Sequence, residues 1–225
     1  MKVAIGLVTY NRLDLLKRTL ASIEQAGHDY TLHIVDNGST DETAEYAKSL
    51  GAFRNPGPDL SVGRGFNLAA QRALAHKQDL AILSGDDLEY RPNWLADLVD
   101  FWEYAPPWLG LLGTYIEPRF RWNAPYGAVE SGPKGKPKQR ALLRFNLGCA
   151  VWAFRAKDWQ LIGPIPEALW QGGDKESCRR LQSEYRLAIA ALDLAVHLGE
   201  TCSWLNPEGW AKAGDIGPER RAWGV

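Results

Sequence analysis

The 225-residue sequence is poor in cysteine, in methionine and in any excess of charge. Its three cysteines, Cys149, Cys178 and Cys202, are odd in number and have no close pair, which argues against a disulfide framework or a zinc knuckle and for reduced thiols. A formal net charge of −1 supplies no overall field for nucleic acid or anionic lipid, so any basic attraction has to be local. Long apolar runs are also missing. The opening Met1–Thr9 meets Tyr10-Asn-Arg12 at once and reads as neither a signal peptide nor a membrane span. The expectation is a soluble, cytoplasmic protein with no stable membrane span.

What is present is 45% apolar and 24% charged residues, enough for one sizeable core and a single domain over 1–225. The periodicity alternates between strand and helix, the pattern of an open, mostly parallel sheet flanked by helices. Val3–Thr9 reads as a buried strand, and Leu13–Ala26, with Leu13, Leu16, Leu20 and Ile23 at helical spacing, as an amphipathic helix ending near Gly27. Thr31–Asp36 is a second strand, and Ser39-Thr-Asp-Glu42 caps a helix running to Leu50. A short strand over Ala52–Asn55, a helix over Arg64–Lys77, a strand over Leu80–Ser84 and a helix over Asn93–Tyr104 follow. Leu192–Val196 reads as a further strand, closed by His197.

Ligands of open sheets sit beyond the carboxyl ends of the strands, where helix N-termini offer free N–H groups to anions. Three such ends are polar here: Thr9-Tyr-Asn11, Asp36-Asn-Gly-Ser-Thr-Asp41 and Gly85-Asp-Asp87. The last places two like charges, Asp86 and Asp87, directly after an apolar strand. As bare residues, the two can form a turn that caps the next helix, or a hard-oxygen site for a divalent cation.

In that order, these stretches resemble the inverting family 2 glycosyltransferases with the GT-A fold. Val8-Thr-Tyr-Asn-Arg12 and Val35-Asp-Asn-Gly-Ser-Thr-Asp-Glu-Thr43 are similar to the family's nucleotide-binding signatures. Gly63-Arg-Gly-Phe-Asn67 resembles its glycine-rich segment, and Gly172-Gly-Asp-Lys-Glu-Ser-Cys-Arg-Arg-Leu181 with Tyr185-Arg-Leu187 resembles the segment that carries its base. The resemblance runs from about residue 3 to about residue 204. It implies a nucleotide-sugar-binding half over 1–116, an acceptor and catalytic half over 117–205 and a C-terminal arm over 206–225.

The resemblance also implies a division of roles. A divalent cation, Mn²⁺ or Mg²⁺, neutralises the donor diphosphate as the sugar–phosphate bond breaks. Asp87 stands where the family's metal ligand stands. Gly85 replaces the acid expected near the ribose, a contact that Asp86 or Ser84 could supply. Thr9, Tyr10, Asn11, Asn37 and Asn67 fall in the donor motifs, with Tyr10 available to stack on the base. Asp36 matches the carboxylate that reads the base N–H and the ribose; a carboxylate accepts from an imide, which favours a uracil or thymine nucleotide. An Asx turn made by Asp36 is compatible with that role. Arg64, between two glycines, can meet the diphosphate or stay solvated. Asp174 matches the general base that takes the acceptor proton in an inverting displacement, with Glu176 as the fallback. Capping the helix Lys175–Glu184 is the bland alternative for Asp174. His197 can complete the cation's shell, and an imidazole suits Mn²⁺ better than Mg²⁺. His28, His33 and His76 have no comparable context.

The acceptor half is less legible. Arg119–Arg144 shows no period, is rich in Pro and Gly, and carries Lys134, Lys136, Lys138, Arg140 and Arg144; it reads as a loop over the acceptor. Those charges suit a phosphate-bearing or nucleic-acid acceptor, or mere solvation. The family's habit favours a saccharide or lipid-linked saccharide hydroxyl over nucleic acid. Ten tryptophans include Trp108, Trp122, Trp152, Trp159 and Trp170 around this half, and aromatic faces stack on sugars and bases alike. Two rival classes remain. A nucleotidyltransferase would open on a Gly-x-Gly-Thr-Arg-type loop, which Leu7-Val-Thr-Tyr-Asn11 is not. A non-catalytic nucleotide-sugar-binding module would account for Gly85 and Gly173 where acids are common.

Overall fold

The structure, a computed structural model, describes residues 1–57, 60–114, 127–135, 137–144, 150–167, 176–181 and 188–198. Its strands are β1 (Val3–Thr9), β2 (Thr31–Asp36), β3 (Phe53–Arg54), β4 (Leu80–Ser84), β5 (Leu88–Tyr90), β6 (Leu109–Thr114), β7 (Gly127–Ser131), β8 (Gln139–Arg144), β9 (Val151–Arg155), β10 (Ala188–Leu192) and β11 (Ala195–His197). The helices are α1 (Leu13–Ile23), α2 (Glu42–Ser49), α3 (Val62–Ala73), α4 (Trp94–Tyr104) and the single turn α5 (Trp159–Ile162), and residues 176–181 are also helical.

Nine strands form one sheet in the order β3-β2-β1-β4-β9-β6-β10-β8-β7. The first four are parallel, β9 runs antiparallel between β4 and β6, β10 is parallel to β6, and β8 and β7 add an antiparallel edge. A two-stranded sheet pairs β11 with β5, antiparallel.

Alternation along the central strands sorts the core into two layers, because successive side chains of a strand point to opposite faces. Val3, Ile5 and Leu7 of β1, with Leu80 and Ile82 of β4, pack on Leu16 and Ile23 of α1 and on Trp94, Leu98, Phe101 and Trp102 of α4. Ala4, Ala81 and Leu83 face the other way, onto Phe66, Ala69, Ala70 and Ala73 of α3 and onto Trp152, Phe154, Ile162 and Cys178. Cys178 is fully buried in this second layer. The α3 contact joins small residues to small residues. A Cβ built on Gly6 falls 2.7 Å from the Ala69 carbonyl oxygen, so β1 and α3 approach more closely than a side chain at residue 6 allows.

The helices differ from expectation at their ends. α1 stops at Ile23, and α3 starts two residues earlier than Arg64, with the Ser61 hydroxyl accepting from the Arg64 N–H at 3.2 Å as its cap. Asp41, inside the expected cap, accepts from the Thr43 N–H. Asn93 caps α4 in the left-handed region rather than belonging to it.

Two larger corrections concern the second half. Part of Arg119–Arg144, expected to be loop, is a hairpin: β7 and β8 pair over Gly127–Ser131 and Gln139–Arg144 and form the sheet's far edge. Val129 and Ala141 are buried while Glu130 is exposed, but a period carried by so few apolar residues is hard to see among Lys, Gly and Pro. The Ser131 hydroxyl and the Gln139 amide donate to the carbonyls of Phe101 and Asp97 and dock the hairpin on α4. The run Leu192–Val196 is split between two strands. The Thr114 hydroxyl accepts from the N–H groups of Leu194 and Ala195 at the corner and passes the chain from the large sheet to the small one. No helix among the described residues is long and apolar enough to cross a membrane.

Gly6→Ala tests the close β1–α3 approach. Overpacking a rigid backbone contact is expected to lower stability by about 1–3 kcal/mol, read from the urea unfolding midpoint. An unchanged midpoint would show that the two elements can part at no cost.

Candidate active site

The polar cleft forms where β1, β2 and β4 end side by side. The first loop is tied to the second by Asn11. At φ 50° it adopts the left-handed region that asparagine tolerates better than most residues. Its side-chain oxygen accepts from the Thr40 N–H at 2.8 Å, its amide donates to the Thr40 hydroxyl at 3.4 Å, and its backbone N–H donates to the Ser39 hydroxyl at 3.0 Å. Asn37 does the same one layer deeper. Its amide donates to the carbonyls of Leu60 and Ser61, and its oxygen accepts from Asn55 at 2.8 Å. Asn67 completes the set, donating to the Ile165 carbonyl and to Glu167 and accepting from the Ile165 N–H at 2.8 Å. Both ends of all three carboxamides therefore have partners within the protein, and they brace the loops of the cleft. The glycines of the same motif serve this packing: a Cβ on Gly63 would meet the Pro166 carbonyl at 2.8 Å, and one on Gly65 would meet Val8 at 2.9 Å.

Asp36 is buried with both oxygens in use. Oδ1 accepts from the N–H groups of Gly38 and Ser39, an Asx turn, and Oδ2 accepts from Arg54 Nη1 at 2.7 Å. Arg54, itself about half exposed, also donates to the Ser39 carbonyl. Arg64 stands at the entry of α3, 3.5 Å from Glu167.

Asp86 and Asp87 are 4% and 7% exposed, so their charges need compensation inside the protein. Asp86 Oδ2 accepts from the Thr9 hydroxyl at 2.6 Å and more weakly from the Tyr10 N–H at 3.4 Å. Arg12, also buried, reaches both acids through Nη1, at 3.3 Å from Asp86 Oδ1 and 2.6 Å from Asp87 Oδ2. His197 Nε2 lies 3.2 Å from the same Asp87 oxygen. The small sheet delivers it: β11 pairs with β5 in the register His197↔Leu88, and the Leu198 N–H donates to the Asp87 carbonyl at 2.7 Å. On its other side β5 is held by α1, whose Thr19 and Ser22 hydroxyls accept from the N–H groups of Leu88 and Tyr90. Ser84, the alternative to Asp86 for the ribose, lies below the cleft with its hydroxyl on the Gly85 carbonyl and Tyr90.

Environment pushes the two acids apart. Burial, reinforced by the charge of Asp87 and opposed by Arg12 and the Thr9 hydrogen bond, raises the Asp86 carboxyl from 3.8 to about 6. Burial acts the same way on Asp87, but the hydrogen bond and charge of His197 and the Arg12 guanidinium outweigh it and hold that carboxyl below its usual range.

Among the described residues no group of three or more His, Cys, Asp and Glu side chains is arranged to hold a metal ion. Asp87 and His197 nevertheless fit as a pair. Two ligands at about 2.1 Å on neighbouring corners of an octahedral ion lie about 3.0 Å apart, close to their observed separation. Glu176 is placed less favourably for base work: it holds Arg179 through two 2.8 Å bonds, which lower its carboxyl. Asp174 lies outside the described residues. His28 bonds the Asp29 carbonyl and His33 stacks on His76, all away from the cleft.

Two residues of the cleft escaped the sequence reading as individuals, Arg12 and Arg54. The signal for Arg12 was charge balance: two adjacent buried acids need a cation, and the strand beside theirs ends at an arginine.

The fold and this cleft define a class. An open sheet with paired acids at its carboxyl edge is the GT-A architecture, and solved GT-A glycosyltransferases superpose on it. TarS 1–349 of S. aureus in complex with UDP-GlcNAc matches with a TM-score of 0.64 at 17% identity, over 89% of this chain and 59% of that one. The mannosyltransferase PcManGT of Pyrobaculum calidifontis, in complex with GDP-Man and Mn²⁺, matches at 0.62 and 15% identity, over 96% and 65%. The chain belongs to glycosyl transferase family 2, whose sequence model matches residues 4–161. A curated relative, the undecaprenyl-phosphate 4-deoxy-4-formamido-L-arabinose transferase of Edwardsiella ictaluri (strain 93-146), is 32% identical over 127 residues, 52% of this chain and 38% of its own length. The chain thus spans well under half of that relative.

The raised Asp86 carboxyl predicts a pH effect on the metal-free protein. The unfolded chain releases this proton near 3.8 and the folded chain only near 6, so the contribution of Asp86 is most favourable below pH 3.8 and is lost as pH rises to about 6. The loss is on the order of 3 kcal/mol. Asp86→Asn removes it, so the variant's stability relative to wild type, from urea midpoints, should rise between pH 4 and pH 7. A difference that does not change with pH would show that Asp86 ionises normally.

Proposed function

We propose that the protein is a metal-dependent inverting glycosyltransferase that moves a sugar from a UDP- or dTDP-sugar to an acceptor hydroxyl. The observation that carries this reading is the convergence of Thr9, Tyr10, Asp36, Asp86, Asp87 and His197 at the ends of three neighbouring parallel strands. Family membership supports the reaction class, and the nucleotide sugars named for TarS and PcManGT support the donor class.

Asp87 and His197 would hold the divalent cation, Mn²⁺ or Mg²⁺, which when bound offsets the charge that grows on the leaving diphosphate. Tyr10 stacks beside the base. Asp36 Oδ2, with one hydrogen bond from Arg54, keeps acceptor capacity for an imide N–H, which supports a uracil or thymine nucleotide. Asp86 takes the ribose contact that Gly85 leaves open, and Arg64 faces the diphosphate. Asn11, Asn37 and Asn67 act on the donor indirectly, by holding the loops that receive it. Asp174 accepts the proton of the acceptor hydroxyl as that oxygen attacks the anomeric carbon from the face opposite the nucleotide. The Arg179 ion pair makes Glu176 the weaker candidate.

The acceptor side is held by the β7–β8 hairpin, with Lys134 and Lys138 at its turn. The acceptor is a saccharide or lipid-linked saccharide. The curated relative's name carries a lipid phosphate, which supports a lipid-borne acceptor, whereas a net charge of −1 speaks against nucleic acid. A cytoplasmic location fits such a donor.

Thermal denaturation against a panel of UDP-, dTDP- and GDP-sugars with MnCl2 tests the donor. A UDP- or dTDP-sugar should raise the melting temperature, and if none does, the reading fails. Asp87→Ala should abolish Mn²⁺-dependent turnover; wild-type activity in that variant removes the cation assignment. Asp174→Asn, which caps a helix as well as aspartate does, should keep the donor-induced shift while turnover falls roughly a hundredfold or more. Retained turnover would reduce Asp174 to a cap.

A further inference from the structure

Two adjacent carboxylates cannot both be ionised inside a protein unless positive charge is brought to them. Here the nearest positive charge is part of the chain. Arg12 lies just after β1, the strand next to β4, and its side chain is 6% exposed. Its Nη1 bridges the pair, and the shorter bond, 2.6 Å, goes to Asp87 Oδ2. That is the oxygen that also faces His197 Nε2 at 3.2 Å and so would be shared with an ion held between Asp87 and His197.

We propose that Arg12 is a built-in counter-ion of the Asp86–Asp87 pair and contends with the divalent cation for Asp87 Oδ2. This rests on the assignment of Asp87 and His197 as cation ligands. A carboxylate oxygen has two in-plane lone-pair directions. In this structure Arg12 and His197 approach that oxygen together, so an ion that bonds to it displaces the guanidinium from its 2.6 Å contact. The guanidinium cannot lose its charge to make way, because arginine stays protonated in proteins. It therefore repels the incoming ion while it shields the acids. Without a cation the protein keeps a buried, compensated pair; with one, the compensation changes hands. Arg12 in this role is a positioning residue that sets how tightly the cleft takes up metal.

The test uses metal-free full-length protein titrated with MnCl2 alone, free Mn²⁺ being read by electron paramagnetic resonance. Arg12→Met keeps the side-chain length and removes the charge, and should bind Mn²⁺ roughly tenfold or more tightly than wild type, given the strength of a like charge at this range. Arg12→Lys, which keeps the charge, should stay near wild type. Adding Asp87→Asn to Arg12→Met should abolish the gain. Without Mn²⁺ the Arg12→Met protein should melt lower than wild type, and Mn²⁺ should raise its melting temperature by more. If that variant does not fold unaided, it should refold in MnCl2 but not in NaCl of equal ionic strength; failure in both overturns the proposal. Equal or weaker Mn²⁺ binding by Arg12→Met, with wild-type binding intact, overturns the counter-ion role and leaves the metal site standing. Absence of Mn²⁺ binding in both proteins, with and without UDP, overturns the two together.

Discussion

The constraint on which this cleft depends is the burial of two neighbouring carboxylates at the end of a central strand. β4 is covered on both faces, so Asp86 and Asp87 emerge where water is scarce and every oxygen needs a partner. The partners come from separate parts of the chain: Thr9, Tyr10 and Arg12 from the strand beside it, and His197 from a strand far along the sequence. Breaking a buried ion pair leaves an uncompensated charge, so the three elements that meet here are held together by electrostatics as well as by apolar packing. The separation of the two carboxyls, one raised and one lowered, follows from the same arrangement. Arg12 and His197 favour Asp87, while Asp86 lies deeper and feels its neighbour's charge.

Around that centre the loops are set by carboxamides. Asn11 links the first loop to the second, Asn37 the second to the entry of α3, and Asn67 links α3 to the segment after α5. A carboxamide donates at one end and accepts at the other, so each can satisfy a backbone N–H or carbonyl that would otherwise be stranded in a partly buried loop. Asparagine in these motifs thus works on the protein's own backbone.

Much of the fold was legible because its signals are local. Short apolar runs along β1 and β4, a period near 3.6 along α1, and the hydroxyls and acids at the start of α2 all lie within a few residues of one another. The β7–β8 hairpin was not legible, because its inward positions carry little apolar surface and its exposed ones are Lys, Arg and Glu. Nor was the break between β10 and β11, which the hydroxyl of Thr114 makes from a distant strand.

The sequence by itself determined the class of the protein: its alternating strands and helices, and the order of the motifs that end β1, β2 and β4. It named Asp86, Asp87 and His197 as chemistry-bearing residues through their residue types and their company. Only the tertiary structure decided how they are partnered. Parallel pairing of β1 with β4 puts Arg12 on both acids, antiparallel pairing of β11 with β5 puts His197 on Asp87, and parallel pairing of β3 with β2 puts Arg54 on Asp36. Strand order and register are non-local quantities, fixed by which apolar faces can be buried together, and no window of sequence contains them.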